Sequence, residues 1–115
     1  MVARRPFVPQ RGDLIWLDFD PRAGHEQAGR RPALVLSAAS YNDKTSLALV
    51  CPITSQVKGY PFEVEIPAGS KVRGAVLADH VKSLDWRARR AERIARLPEQ
   101  HLSAVVRLIA TLVAG

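Results

Sequence analysis

The chain has 115 residues and a mass of 12.6 kDa, the size of one domain, and we expect a single domain over residues 1–115. Hydrophobic residues make up 47% and charged residues 24% of the chain, which excludes a disordered polymer and favours a globular protein. The net charge of +6 is compatible with nucleic-acid binding but does not require it.

The cysteine content and the apolar stretches narrow the protein class further. The single cysteine, Cys51, excludes an intrachain disulfide and any zinc cluster built on cysteines, and its apolar neighbours predict a small core residue. The segment Met1–Gln10 lacks the apolar stretch of a signal peptide, and Ala104–Ala114 is too short to cross a bilayer. We therefore expect a cytoplasmic protein that makes no membrane contact.

Three apolar runs predict strands in the first half of the chain. Asp13–Asp20 alternates with one strongly apolar face, whereas Pro32–Ser37 and Thr45–Thr54 are short apolar runs typical of buried strands. Within the last of these, Pro52 predicts an edge or a bulge, since proline cannot donate to a strand ladder. Between them, Ser40–Lys44 has the composition of a turn.

The second half predicts further strands and one helix. Pro61–Ile66 alternates as a half-exposed strand, and Gly74–Val81 predicts another short strand. Arg87–Leu97 is compatible with either helix or strand. Pro98–Val113 has apolar residues at helical spacing and a proline suited to the first turn. Strands followed by one helix predict a mainly β fold, a small barrel or half-barrel with a packed C-terminal helix.

Motifs for phosphate-binding loops, zinc proteases and serine hydrolases are missing from the sequence. The histidines His25, His80 and His101 are isolated in sequence, so no metal site is predicted. Asp18 and Asp20 share one face of a strand and are interpreted as a solvated strand end.

Two positions at strand ends are candidates for chemistry. Arg31 stands between the polar loop Arg22–Arg31 and a strand that begins with proline, a boundary where functional groups are common. The pattern alone nevertheless favours an ion pair of Arg31 with Asp18 or Asp20. Thr54 ends a buried strand, where its hydroxyl can contact phosphate or cap a turn.

The densest basic segment is Lys82–Arg96, and residues 80–115 carry seven basic and three acidic side chains. Within it Trp86 stands among lysine and arginine residues, a combination that suits stacking on single-stranded nucleic acid. The same tryptophan is also compatible with a core position or with a dimer contact.

Several segments follow one another along the chain in a characteristic order: GDLIWLDFDP, EQAGRRPALVLS, YNDKT, CPITS, KGYPFEV, VLADHVKSLDWRAR and the terminal helix that begins LPEQ. Taken in this order, they resemble the MazF/PemK-type toxins over about residues 11–112.

The resemblance implies an SH3-like small barrel, also called the PemK/CcdB-type toxin fold, that forms a homodimer. It implies a toxin of a toxin–antitoxin pair that inhibits translation and growth by cleaving single-stranded RNA, chiefly mRNA, at specific sequences. The implied reaction needs no metal or other cofactor and uses the substrate's 2′-OH, which leaves a 2′,3′-cyclic phosphate and a 5′-OH. The implied inhibitor is a cognate antitoxin with an acidic disordered tail.

The resemblance also assigns roles to particular residues. It places the family's catalytic arginine at Arg31 and its catalytic threonine at Thr54, with Glu26 as a participant. Residues predicted to bind RNA, from the resemblance and from the basic segment, are Lys58, Lys82, Arg87, Trp86, His25, Gln27 and Arg30.

The proton acceptor is left open by these residue types. Arg31 suits stabilisation of the charge on phosphorus, whereas the Thr54 hydroxyl is too weakly acidic to act as a base near pH 7. Glu26 and His25 have more suitable pKa ranges, and Glu26 is preferred. Two other functions remain open: a toxin of the same fold that poisons gyrase, and an RNA-binding module without catalysis.

Overall fold

The computed structural model describes residues 7–19 and 29–115, which form seven strands and two helices. The strands are β1 (Asp13–Phe19), β2 (Gly29–Val35), β3 (Leu47–Thr54), β4 (Glu63–Glu65), β5 (Ala75–Leu77), β6 (Lys82–Asp85) and β7 (Glu92–Arg96); the helices are α1 (Ala39–Thr45) and α2 (Glu99–Val113). Each strand pair is antiparallel, in the order β4-β5-β3-β2-β1-β7, and β6 also pairs with β3. The predicted mainly β fold with a C-terminal helix is confirmed.

Opposite faces of the central strands pack into two separate hydrophobic clusters. The helix-side core contains Leu14 and Leu34 together with Leu102 of α2, whereas the tryptophan-side core contains Ile15 and Trp86. Neighbouring residues therefore belong to different cores, as expected from the two-residue period of a strand. Cys51 is buried in the helix-side core, which confirms its predicted core position.

Strand β3 changes its partner at Pro52. On one edge it pairs with β6 over Leu47–Val50 and with β5 from Ile53 onward, so Pro52 lies in the gap between the two partners. On the other edge β3 pairs with β2, where the Leu36 N–H donates to the Leu49 carbonyl. Hydrogen-bonded and non-hydrogen-bonded pairs alternate along an antiparallel ladder, so the Ala33–Pro52 pair is a non-hydrogen-bonded one. The Pro52 nitrogen therefore points away from β2. The proline thus interrupts no ladder bond, because its nitrogen faces the side of β3 that has no partner strand at this residue among the described elements.

The turn predicted at Ser40–Lys44 is wrong, because these residues lie in the helix α1. The reason is the buried Asn42, whose amide donates to the carbonyls of Pro9 and Ser37 at 2.9 and 3.0 Å. The Ser37 hydroxyl donates to the Asn42 side-chain oxygen at 2.6 Å. Residues with turn propensity therefore form a helix that is anchored by tertiary hydrogen bonds.

The C-terminal helix agrees with the prediction, whereas the strands just before it were predicted less well. Pro98 stands immediately before α2, whose Leu102 and Val105 are buried, so the predicted helix is confirmed. The undecided segment Arg87–Leu97 forms a turn and then β7, and the strand β6 was not predicted. No helix in residues 7–19 and 29–115 is long and apolar enough to span a membrane.

Candidate active site

A pocket lies where β2 begins and β3 ends. The β2–β3 register pairs Ala33 with Pro52, and the same register carried two residues further sets Arg31 opposite Thr54. Alternation then places both side chains on the same face of the sheet. The pocket is lined by Phe19, Arg31, Pro52, Ile53, Thr54, Ser55, Gln56, Lys58 and Leu77. The structure thus brings together the predicted catalytic pair and the predicted RNA contact at Lys58.

The pocket carries two positive charges available to an anion. Among the described residues, neither the Arg31 guanidinium nor the Lys58 ammonium has a hydrogen-bond or ion-pair partner. The apolar floor contributed by Phe19, which is 5% exposed, limits solvation on that side. Charges beside such a surface interact more strongly with an anion than they would in bulk water.

The Thr54 hydroxyl caps the turn that follows β3. Its oxygen accepts the Gln56 N–H at 3.1 Å, which is the predicted turn cap. The Thr54 hydroxyl also points toward the Gln56 carbonyl, but the two oxygens are 3.5 Å apart, the limit of a useful hydrogen bond. Because a hydroxyl hydrogen rotates, Thr54 can donate instead to an acceptor in the pocket.

A glycine outside the predicted set packs against Thr54. Gly74 has a φ of +122°, and a Cβ at this position would lie 1.9 Å from the Thr54 carbonyl oxygen. Such closeness is possible only without a side chain. The sequence marks Gly74 as the start of a strand, but its contact with Thr54 depends on the β3–β5 pairing and cannot be deduced from composition.

Arg30 lies on the opposite face of β2 from Arg31. Its guanidinium donates to Asp18 at 3.0 Å and to the Arg90 carbonyl at 2.8 Å, and it also pairs with Glu92. Asp18, one of the two carboxylates considered as a partner of Arg31, therefore pairs with Arg30 and with Arg90 instead, whereas Asp20 lies outside the described residues. This position does not bring Arg30 to the pocket, so its RNA contact stays a prediction.

The Asp18 carboxylate is the centre of this ion-pair cluster. Hydrogen bonds from Arg90 and then from Arg30 hold the pKa of Asp18 below its usual range. The Arg89 guanidinium also donates to the Asp18 carbonyl at 3.0 Å. The interpretation of Asp18 as a merely solvated strand end is therefore wrong, since it ties β1 to β2 and to the segment before β7.

Trp86 is not the RNA-stacking platform that was predicted. The side chain is 5% exposed in the tryptophan-side core, and its indole N–H donates to the Asn42 carbonyl at 2.9 Å. The Phe7 ring approaches it edge-on, and the Arg87 guanidinium covers it with 4.3 Å between Cζ and the ring centroid. Its buried faces leave no room for a base, so the core alternative is correct.

Lys82 and Arg87 lie away from the pocket along β3 and β6. Lys82 pairs with Val50, which is about 13 Å from Thr54 at the usual rise of a strand. Arg87 lies beyond the far end of β6 and pairs with Asp43 at 3.0 Å. Their RNA contacts stay predictions, outside this pocket.

The basic segment does not form one continuous groove. Its arginines pair at separate places: Arg93 and Arg96 with the buried Asp13, at 3.2 and 3.1 Å, and Arg90 with Asp18. Much of the positive charge that the sequence concentrates at Lys82–Arg96 is thus neutralised locally by aspartates from β1.

The predicted contributions of His25, Glu26 and Gln27 lie outside the described residues. Within the described part of the chain, no three His, Cys, Asp or Glu side chains are close enough to hold a metal ion. Cys51 is also unsuited to nucleophilic chemistry, because burial raises the pKa of its thiol to about 12.

The pocket is open and cationic and has a hydroxyl at its wall, at the end of a strand in a small mainly β domain. These groups are suited to phosphate-like ligands. Residues 10–113 match the family described as PemK-like, MazF-like toxin of type II toxin-antitoxin system. The chain belongs to this family, which confirms the resemblance seen in the sequence.

Relatives in this family match the chain over nearly its whole length. The chain is 50% identical over 113 residues to the endoribonuclease toxin MazF of Escherichia coli (strain K12), covering 98% of this chain and 99% of that one. It superposes on a crystal structure of MazF from Deinococcus radiodurans with a TM-score of 0.89 and 55% identity, covering 96% of this chain and 100% of that one.

A MazE–MazF complex from the same organism matches with a TM-score of 0.86 and 50% identity, covering 95% of this chain and 98% of that one. These matches confirm the small barrel-like toxin fold, although the strand ladder does not close into a ring among the described residues.

Proposed function

We propose that this chain is an endoribonuclease toxin that cleaves single-stranded RNA, chiefly mRNA, at specific sequences without a metal ion. The observation that carries the proposal is the shared pocket of Arg31, Thr54 and Lys58. Relatives named as an endoribonuclease toxin and as an endoribonuclease support it. Cleavage of mRNA would inhibit translation and growth.

The chemistry follows from these groups and from the substrate. The 2′-oxygen of RNA attacks the adjacent phosphorus, forms a new O–P bond and expels the 5′-oxygen of the next nucleotide. Negative charge accumulates on the phosphoryl oxygens, where Arg31 supplies two N–H donors and Thr54 a third. The expelled 5′-oxygen takes up a proton, so the products are a 2′,3′-cyclic phosphate and a 5′-OH.

The proton released by the 2′-OH needs an acceptor, and we assign this role to Glu26. A carboxylate is ionised near pH 7, whereas the Thr54 hydroxyl is not. The test is the pH dependence of kcat/KM: Glu26→Gln should remove the acidic limb of the profile. An unchanged limb would leave His25 as the acceptor.

The partners proposed are a second copy of the chain and an antitoxin. Val106, Leu112 and Val113 leave apolar surface exposed on α2, which suits a protein contact. The charges of Arg31 and Lys58, which have no partner in residues 7–19 and 29–115, suit an acidic disordered tail that would compete with RNA. The MazE–MazF complex supports an antitoxin partner. All these encounters are proposed to occur in the cytoplasm.

The decisive experiment is cleavage of a long single-stranded RNA in EDTA, with cuts mapped by primer extension and ends analysed by mass spectrometry. Arg31→Ala or Thr54→Ala should each lower the rate by about 100-fold or more. The matched controls are Arg107→Ala and Thr111→Ala, which change exposed residues of α2. Both variants should cleave the RNA at the wild-type rate.

Full activity in both pocket variants would refute the assignment. Salt-sensitive binding without scission would indicate an RNA-binding module, and inhibition of gyrase without scission would indicate a gyrase poison.

A further inference from the structure

We propose that Glu63 is a positioning residue that holds Lys58 in the pocket by binding the backbone of the loop that carries it. The inference rests on the proposed function in one respect, because Lys58 must contact RNA. Glu63 itself lines no part of the pocket, and its role is to act through Lys58.

One carboxylate oxygen of Glu63 accepts hydrogen bonds from three consecutive backbone N–H groups. The Lys58 and Gly59 N–H groups donate to Oε1 at 3.0 Å each, and the Tyr60 N–H donates to it at 3.4 Å. Oε2 accepts a second, longer contact from the Lys58 N–H at 3.4 Å. Successive N–H groups converging on an anion form a nest, and hydrogen bonds to a charged acceptor are stronger than neutral ones.

The conformation of the loop depends on this arrangement. Gly59 has a φ of +74°, in the left-handed region that turns consecutive N–H groups to the same side. The Glu63 N–H in turn donates to the Tyr60 carbonyl at 2.9 Å, so strand β4 and the loop are bonded in both directions. The backbone is fixed in this way at Lys58, a residue that lines the pocket.

A second carboxylate holds the same loop from another element. The Tyr60 hydroxyl donates to Asp79 Oδ2 at 2.8 Å, and this bond raises the pKa of Tyr60. Asp79 follows β5, whereas Glu63 begins β4. The loop is therefore held at its side chain by one carboxylate and at its backbone by the other, and only Glu63 binds the Lys58 N–H.

Glu65 provides a matched control. It lies two residues further along the same short strand and on the same face, and it is exposed. None of the described residues hydrogen-bonds to its carboxylate. Removing Glu65 therefore changes the charge of the strand without releasing the loop.

The test measures binding of an RNA blocked by 2′-O-methyl groups, using fluorescence anisotropy at several salt concentrations, together with cleavage of the unblocked RNA. Glu63→Ala should raise Kd and KM about fivefold, because RNA binding must then order the Lys58 loop. The same variant should change kcat less than about twofold. Glu63→Gln should recover most of the affinity, because its amide oxygen still accepts the N–H groups. Glu65→Ala should bind normally.

A double-mutant cycle separates positioning from general destabilisation. In a Lys58→Ala background, Glu63→Ala should weaken binding less than about twofold further. Lys58→Ala should reduce the slope of log Kd against log salt by about 0.7, whereas Glu63→Ala should leave it unchanged, because the Lys58 contact still forms in the complex. Additive effects, or equal losses in Glu63→Ala and Glu65→Ala, would overturn the inference. A wild-type protein that binds but does not cleave would overturn only the nuclease assignment; one that binds no RNA would overturn both.

Discussion

The contact between Gly74 and Thr54 predicts that a single methyl group inactivates the pocket. In Gly74→Ala, the new Cβ would lie 1.9 Å from the Thr54 carbonyl oxygen and 2.9 Å from its carbonyl carbon. Both are backbone atoms, so the strand itself must move by about 1.5 Å to restore an ordinary contact of 3.4 Å. A displacement of about 1 Å at a reacting group can lower the rate about 100-fold, which is the loss expected in kcat.

Gly69→Ala is the matched control for backbone strain. Gly69 also has a positive φ, +89°, but a Cβ there meets nothing within 4 Å. Both variants should lose stability, on the order of 1–3 kcal/mol, because alanine is strained at positive φ. Only Gly74→Ala should lose catalysis, measured as single-turnover cleavage at a temperature where thermal unfolding shows both variants folded.

The displacement must act through Thr54 if this reasoning is correct. In a Thr54→Ala background, Gly74→Ala should therefore reduce kcat by much less than it does in the wild type. Wild-type kcat in folded Gly74→Ala, or an equal loss of kcat in Gly69→Ala, would refute the argument.

Three further predictions concern single groups. Arg31→Lys keeps the charge but loses the planar pair of donors, so kcat should fall at least about tenfold in a cleavage assay, and wild-type kcat would exclude bidentate contact. The pKa of Asp18 is lower in the folded than in the unfolded protein, so its ion pairs stabilise the fold above the unfolded pKa and this stabilisation is lost as the pH falls. Tm should therefore drop more steeply below about pH 4 in the wild type than in Asp18→Asn. Parallel curves of Tm against pH would contradict this. Cys51, with its raised pKa and full burial, should react with a thiol reagent at pH 8 only after denaturation, and rapid labelling of folded protein would contradict the packing.

Hydrophobic patterning predicted the elements whose burial is decided by their own side chains. The strand β1 and the helix α2 have apolar periods that match the faces they bury, and β2 and β3 contain apolar runs that are buried on both faces. The pattern did not identify α1, because Asn42 is fixed by acceptors on Pro9 and Ser37 that only the tertiary fold supplies. It also missed the strand β6, where Lys82–Asp85 alternates too briefly to give a signal.

The candidate site shows the same division between local and long-range information. Arg31 and Thr54 were assigned from their motifs, but their proximity depends on the β2–β3 register, which residue composition does not reveal. The dense arginine segment gave a false signal for Trp86, because a tryptophan among basic residues has the same composition whether it stacks on RNA or closes a core. Its contacts with Asn42 and Phe7 decide between these alternatives.

The adjacent pair Arg30 and Arg31 explains why charge density along the sequence is a poor guide to the site. A strand directs neighbouring side chains to opposite faces, so one arginine joins the cluster at Asp18 and the other reaches the pocket. The arginine that is neutralised stabilises the strand pairing, whereas the one without an acidic partner in the described residues keeps its charge for a ligand. Because a shift of one residue in the β1–β2 register would exchange these faces, the Asp18–Arg30 pair helps to specify which arginine enters the pocket.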